Sequence, residues 1–238
     1  MTRSRLGLKA LGACALVLGM MAVWAGAAQG ESTGGSWTYI KEGQLTTFEG
    51  SLAEPLFLGR QEVATVGILH SKALGGTWVL YECDAMSIFE GKLQPGGKIL
   101  GKVSFLECEA FLNGVLSKNC NPVGGKITTN KLKAVMLLHK LVGGTVDKIL
   151  IAEPEEAAQL AFIESTAACA LGIKVPVGGK FAIQDPQPTT HTSDHLVKEF
   201  PELTHLFLIS DTAEHAANIL GSAEVWVGGG YKWAGLWN

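Results

Sequence analysis

Four of the six histidines lie within the stretch from His191 to His215, interleaved with Asp194, Asp211 and Glu214. Imidazole and carboxylate are the ligand types of a catalytic zinc site, which takes three protein ligands and leaves a fourth position for water. The set His191, Asp194, His195, His205 and His215 is therefore where metal-assisted hydrolysis would reside. Two features weaken it. His191 and His195 share a face only in a helix, and the lead-in Gln184-Asp-Pro-Gln-Pro-Thr-Thr reads as an exposed loop. No H-E-x-x-H occurs. Surface histidines beside a short capped helix are the simpler reading, and no cofactor is expected.

Tyr231, Trp233 and Trp237 fall on one side of a final strand after Val225-Trp226-Val227. Aromatics in a row stack on sugar rings or line an apolar pocket, but they also dominate the burial that a β core needs. The second role is the expected one. Glu107 and Glu109 flank Cys108, so an extended chain puts both carboxylates opposite the thiol. They are expected to form a solvated face. No G-x-S-x-G is present, and no Ser, His and Asp set stands out.

Cys83, Cys108, Cys120 and Cys169 form an even set once Cys14 is set apart with the leading segment. In an exported chain that reads as two disulfides. Spacings of 24, 11 and 48 intervening residues, without a C-x-x-C, match no zinc module. The expected pairs are Cys108 with Cys120, closing a short loop over Asn113-Gly114, and Cys83 with Cys169. The chief rival joins Cys83 to Cys108, because a two-residue turn at Pro95-Gly96 sets them opposite each other in a hairpin.

The elements that position these residues follow from period and punctuation. Trp78 to Phe89 alternates with period two, putting Trp78, Leu80, Met86 and Ile88 on one side and Val79, Tyr81, Cys83 and Phe89 on the other. Ile99 to Leu106, Lys131 to Lys140 and Val146 to Ile151 continue the hairpin pattern. Three Gly-Gly-Lys repeats, at Gly96, Gly124 and Gly178, read as turns before strands, and a phosphate loop is excluded because no Ser or Thr follows the lysines. Pro154-Glu-Glu is expected to begin one helical turn before a strand from Phe162 to Leu171. Asp211-Thr-Ala-Glu214 resembles a capping box, predicting a short helix to Leu220 with Gly221 as its stop. The expected fold is all-β: an antiparallel β-sandwich or open barrel with two disulfides and at most one or two short helices.

Residues 1–30 carry a basic start, an apolar stretch from Ala10 to Ala25 and a small-residue close, the order of a secretory signal peptide cleaved near 27–30. Residues 31–238 are then one secreted β-rich domain, in the extracellular space, the periplasm or on the cell surface. The apolar stretch is too short for a comfortable membrane span. Cys14 follows too little apolar sequence for a lipid anchor. Three of the 19 basic residues, Arg3, Arg5 and Lys9, lie in this segment while all 22 acidic residues begin at Glu31, so the remainder carries a net charge of about −6. That excludes the basic footprint of a nucleic-acid binder.

The order Cys83, Phe105-Leu-Glu-Cys-Glu109, Cys120-Asn-Pro122, Gly125-Lys-Ile-Thr-Thr-Asn-Lys-Leu-Lys-Ala134 and Cys169-Ala-Leu-Gly resembles a pattern in uncharacterised exported bacterial proteins. The resemblance covers residues 77 to 183 and implies a disulfide-bonded β-sandwich with no assigned activity. The expected function is a non-enzymatic binding or extracellular structural module. The alternatives are the metal-assisted hydrolase and a lectin-like module using the terminal aromatics.

Overall fold

Side chains that alternate between apolar and polar give a strand one face to bury, and β-branched and aromatic residues fit that pleated surface best. The computed structural model of the chain describes residues 35–48, 57–61, 67–73, 76–140, 146–184, 191, 194–199, 201–210 and 213–237. In chain order the strands are β1 (Gly35–Lys41), β2 (Gln44–Thr47), β3 (Phe57–Gln61), β4 (Gly67–Ala73), β5 (Thr77–Gln94), β6 (Lys98–Leu112), β7 (Val115–Leu116), β8 (Lys126–Thr128), β9 (Leu132–Lys140), β10 (Val146–Pro154), β11 (Ala161–Glu164), β12 (Lys174–Gln184), β13 (Asp194–Glu199), β14 (His205–Ser210), β15 (Ala213–Leu220), β16 (Ser222–Val227) and β17 (Lys232–Trp237). Among the described residues there is no α-helix. All strand pairings among them are antiparallel. Residues 1–30, read from the sequence as a signal peptide, lie outside the described residues.

The hairpin of β5 and β6 organises the rest. Its loop is Pro95-Gly96-Gly97, with Gln94 opposite Lys98, one residue longer than the expected turn. A bulge between Phe89 and Lys92 then sets Glu90 and Gly91 against Gly101 alone. Two residues opposed to one take back the extra loop residue. Cys83 therefore still faces Cys108, and the two are joined by a disulfide. The second disulfide joins Cys120 to Cys169.

This corrects the expected pairing of Cys108 with Cys120 and Cys83 with Cys169. The Asn113-Gly114 turn does form, but β7 ends at Leu116 and the chain leaves in a 3-10 turn, Lys118–Cys120. There Ser165 donates to the Cys120 carbonyl and Thr166 to that of Asn119. Those bonds bring in the loop that carries Cys169.

The long strands change neighbours along their length. On one side, β5 pairs with β4 through Cys83 and with β3 at Ser87 and Ile88. β12 pairs with β14 through Lys180 and with β13 from Ile183, and on its other edge with β11 and then β10. β6 exchanges β9 for β8. Because β5 also pairs with β6, the large sheet closes on itself. Two barrel-like rings result, sharing β5, β6 and β12. One runs through β4, β15, β14, β11 and β8, closed by a bridge between Thr129 and Ala161. The other runs through β3, β16, β13, β10 and β9.

Each ring has its own core. Tyr81, Ile163, Val175, Leu208 and all four disulfide cysteines fill the first. Trp37, Met136, Val225, Val227 and Trp233 belong to the second, where the small sheet of β17, β1 and β2 contributes Trp37, Tyr39 and Trp233. The Trp37 indole donates to the Lys98 carbonyl, which fastens that sheet over the ring end holding the β5–β6 turn.

Serving two cores changes the alternation. In β5, Val79, Tyr81 and Cys83 face the first core whereas Met86 and Ile88 pack against the second. The inward side thus passes from odd to even positions. In β6 the same passage lies between Phe105 and Cys108, at Glu107, whose φ is 55°. The expected grouping of Met86 and Ile88 with Trp78 fails for this reason: Trp78 is 54% exposed.

Both helical expectations also give way to strands. Ala213 to Leu220 is β15, pairing with β14 and β4. Residues 215, 217 and 219 alternate with exposed neighbours, so period two overrides the capping pattern. Pro154 ends β10, and the following strand is only Ala161–Glu164. The first two Gly-Gly-Lys repeats do precede strands at turns. The third lies inside β12, where a Cβ on Gly178 would meet the Phe207 ring and one on Gly179 the His205 carbonyl. Glycine is required there by the close approach of β14 rather than by a hairpin.

Candidate functional site

The histidines that a metal site would have to gather lie on β13, β14, β15 and the chain before β13. His195, on β13, is buried, with its ring centroid 4.2 Å from that of Trp233 and its Nε2 2.9 Å from the Trp233 carbonyl oxygen. A carbonyl only accepts, so Nε2 carries the proton and is not available as a metal ligand. His191 Nε2 lies 3.1 Å from the Thr38 hydroxyl, which itself donates to the Ala234 carbonyl, so His191 is the donor. Both rings therefore pin the chain around β13 to the β1–β17 sheet. His205 is exposed on β14, opposite Lys180. His215 lies on β15 opposite Leu208. Asp194 is on β13, with its side chain outside the described residues. Among the described residues no three His, Cys, Asp or Glu side chains are gathered where they could hold a metal ion.

Of the aromatic row, Trp233 and Tyr231 pack against other aromatic rings. Trp233 is 3% exposed, its ring packed against Trp37 at 5.6 Å as well as against His195. Tyr231 is half-buried, edge-on to Tyr39 at 5.4 Å. Trp237 ends β17, with its side chain outside the described residues. No sugar reaches Trp233 without displacing those neighbours. Glu107 and Glu109 point to solvent, as expected of that face.

The second ring is incompletely filled. Inside it lies a cavity of about 130 Å³, lined by Met86, Ile88, Leu150, Phe181, Ile183, Val225 and neighbouring apolar side chains. Small residues stand at inward positions where larger ones would close the space: Ala134, Ala152 and Ala223. Packing in protein interiors leaves few voids larger than a water molecule, and an apolar space of this size has room for a benzene-sized guest. Leu220, Gly221, Ser222 and Lys198 line the outer side, at the β15–β16 corner. Leu220 is 43% exposed, which makes this corner the mouth. It falls where β5 exchanges β4 for β3 and β12 exchanges β14 for β13, because strands that part company leave a gap between them.

The lining is predominantly apolar. No imidazole, thiol or carboxylate is among the lining side chains. Ser222 stands opposite Lys198 across the β13–β16 pairing, and the Lys102 ammonium is drawn off to Glu90 at 2.9 Å. These residues were not singled out in the sequence. The signal was present as alanine at inward positions of otherwise bulky strands, but volume deficits are visible only once the facing residues are known.

A second, smaller cavity of about 30 Å³ lies in the first ring, among Cys83, Ile127, Leu160, Val177 and Leu206. Phe105, Phe181 and Ile219 line both spaces and so form the partition between them. In the same core Tyr81 is fully buried, with no hydrogen-bond partner for its hydroxyl among the described residues. Burial pushes its ionisation well above the usual phenol range.

Fold and cavity together define a disulfide-bonded, antiparallel β protein with a barrel-like sheet enclosing an apolar site. No protein-family model, curated protein or solved structure matches the chain. Of what the sequence resemblance implied, the sheet-rich fold and the two disulfides are present. No helix among the described residues is long and apolar enough to cross a membrane.

Proposed function

We propose that the chain is an exported, non-enzymatic binding module that encloses a small apolar molecule in its second ring. The observation carrying this reading is the cavity of about 130 Å³ with an apolar lining and a mouth at Leu220. Export rests on the order of residues 1–30 and on two disulfides, which are compatible with an oxidising compartment. The buried Trp233 and the separated histidines give the lectin-like and hydrolase readings no comparable support.

Calorimetric titration with toluene tests the proposal. The expected result is a saturable one-to-one heat with a negative heat-capacity change, the mark of apolar burial on binding. Ala152→Leu, which fills the cavity from within, should abolish that heat while the fold is kept. Non-saturable heat, or equal binding by the filled variant, would overturn it.

A further inference from the structure

The two cavities lie on opposite sides of one thin partition, and this arrangement bears on the shape of the guest. Phe105, Phe181 and Ile219 are all only partly buried and are shared by both linings. All three side chains are apolar, so moving them exposes no polar group. Beyond them lies the second space, lined by apolar side chains and by Thr129, whose hydroxyl oxygen accepts from the Val103 N–H. A compact ring fills the larger space and stops at the partition. A narrow chain has a further direction in which to grow.

From this geometry we infer that the natural guest carries an unbranched alkyl chain, which enters at the Leu220 corner, fills the larger cavity and presses past Ile219 toward Ile127 and Leu206. The inference rests on the apolar-site reading above and adds the shape of the ligand to it. It requires no charged anchor inside the barrel: the chain is held by burial alone, and any polar head remains at the mouth beside Ser222 and the exposed Lys198. Ile219 is the determinant of length, because it stands on β15 one residue from the exposed Leu220 and lines both spaces.

The test uses straight-chain primary alcohols from butanol to decanol, with toluene as the compact comparator, on the oxidised full-length protein. Each methylene that is buried should tighten binding roughly fourfold until the available length is used, after which the affinity levels off. Ile219→Ala should move that limit to a longer alcohol. Phe105→Leu opens the same partition more gently and serves where the alanine variant does not fold. In the wild-type protein, decanol should shift the methyl resonances of Ile127, Val177 and Leu206 while butanol should not. If toluene binds but the limit stays fixed and those methyls do not respond, the chain-shaped guest is wrong and the apolar-site reading stands. Failure of toluene and of every alcohol to bind overturns both.

Discussion

Replacing Ala152 by leucine separates a cavity from a packed core, because the two give opposite signs. Ala152 is buried at 4% exposure, next to Ala134 on β9 and Phe181 on β12, and lines the cavity. In a filled core, added carbons force neighbours off their rotamers and cost about 1–3 kcal/mol. Here there is space to accept them. The space of about 130 Å³ leaves room for a leucine side chain. Three added carbons at about 0.8 kcal/mol each recover about 2.4 kcal/mol. Ordering the leucine side chain takes back about 0.5–1 kcal/mol. A net gain of about 1.5 kcal/mol remains, which for a domain of this size raises Tm by about 3–6 °C. Thermal and urea unfolding, followed by tryptophan fluorescence, measure it. A lower midpoint with an unchanged urea slope would refute the reasoning, since it would mean that the space around Ala152 is already occupied.

Other perturbations read the remaining structure. Tyr81→Phe should gain about 1 kcal/mol at neutral pH by removing a buried hydroxyl without a partner, a difference checked by urea unfolding. Because burial raises the Tyr81 pKa, the native state keeps the proton that the unfolded chain gives up. Wild-type stability attributable to this group is thus complete below about pH 10 and is lost as pH rises beyond it. The phenylalanine variant should lose less over that alkaline range. Gly179→Ala meets the His205 carbonyl at a φ of +98° and should lose at least about 2 kcal/mol in thermal unfolding, whereas Gly124→Ala, with nothing within 4 Å, should lose only about 1 kcal/mol. Removing the Cys120–Cys169 bond as the double serine variant releases a loop with a sequence separation of 49 and should cost about 4 kcal/mol; titration of thiols after denaturation without reductant should find none among these four cysteines in the wild type.

Much of the architecture was legible as period and punctuation. The turns at Pro95 and Asn113 and the hairpin of β9 and β10 follow from glycine, proline and alternation. Cys83 meets Cys108 although the loop was misjudged, because the bulge at Glu90-Gly91 offsets the longer turn. Two kinds of feature were hidden. Local signals were outvoted by tertiary pairing: Asp211 to Glu214 has the letters of a capping box, yet β15 has a strand on each side and pairs with both. Features that depend on distant partners leave no local mark, as with Gly178 and Gly179, whose role depends on β14. The same is true of the site. Tyr231 and Trp233, conspicuous by their chemistry, pack against Tyr39 and against Trp37 and His195, whereas Ala134, Ala152 and Ala223, which line the cavity, are among the least conspicuous residues in the chain.

The central claim is that the second ring encloses an accessible apolar site, and methyl NMR during a toluene titration tests it most directly. The account predicts saturable shifts at Ile88, Ile183, Val197 and Val225, which line the cavity, and none at Ile163 or Val175, which lie in the first core. Shifts scattered over exposed methyls such as Val115 and Val123, with the cavity methyls unmoved, would contradict it.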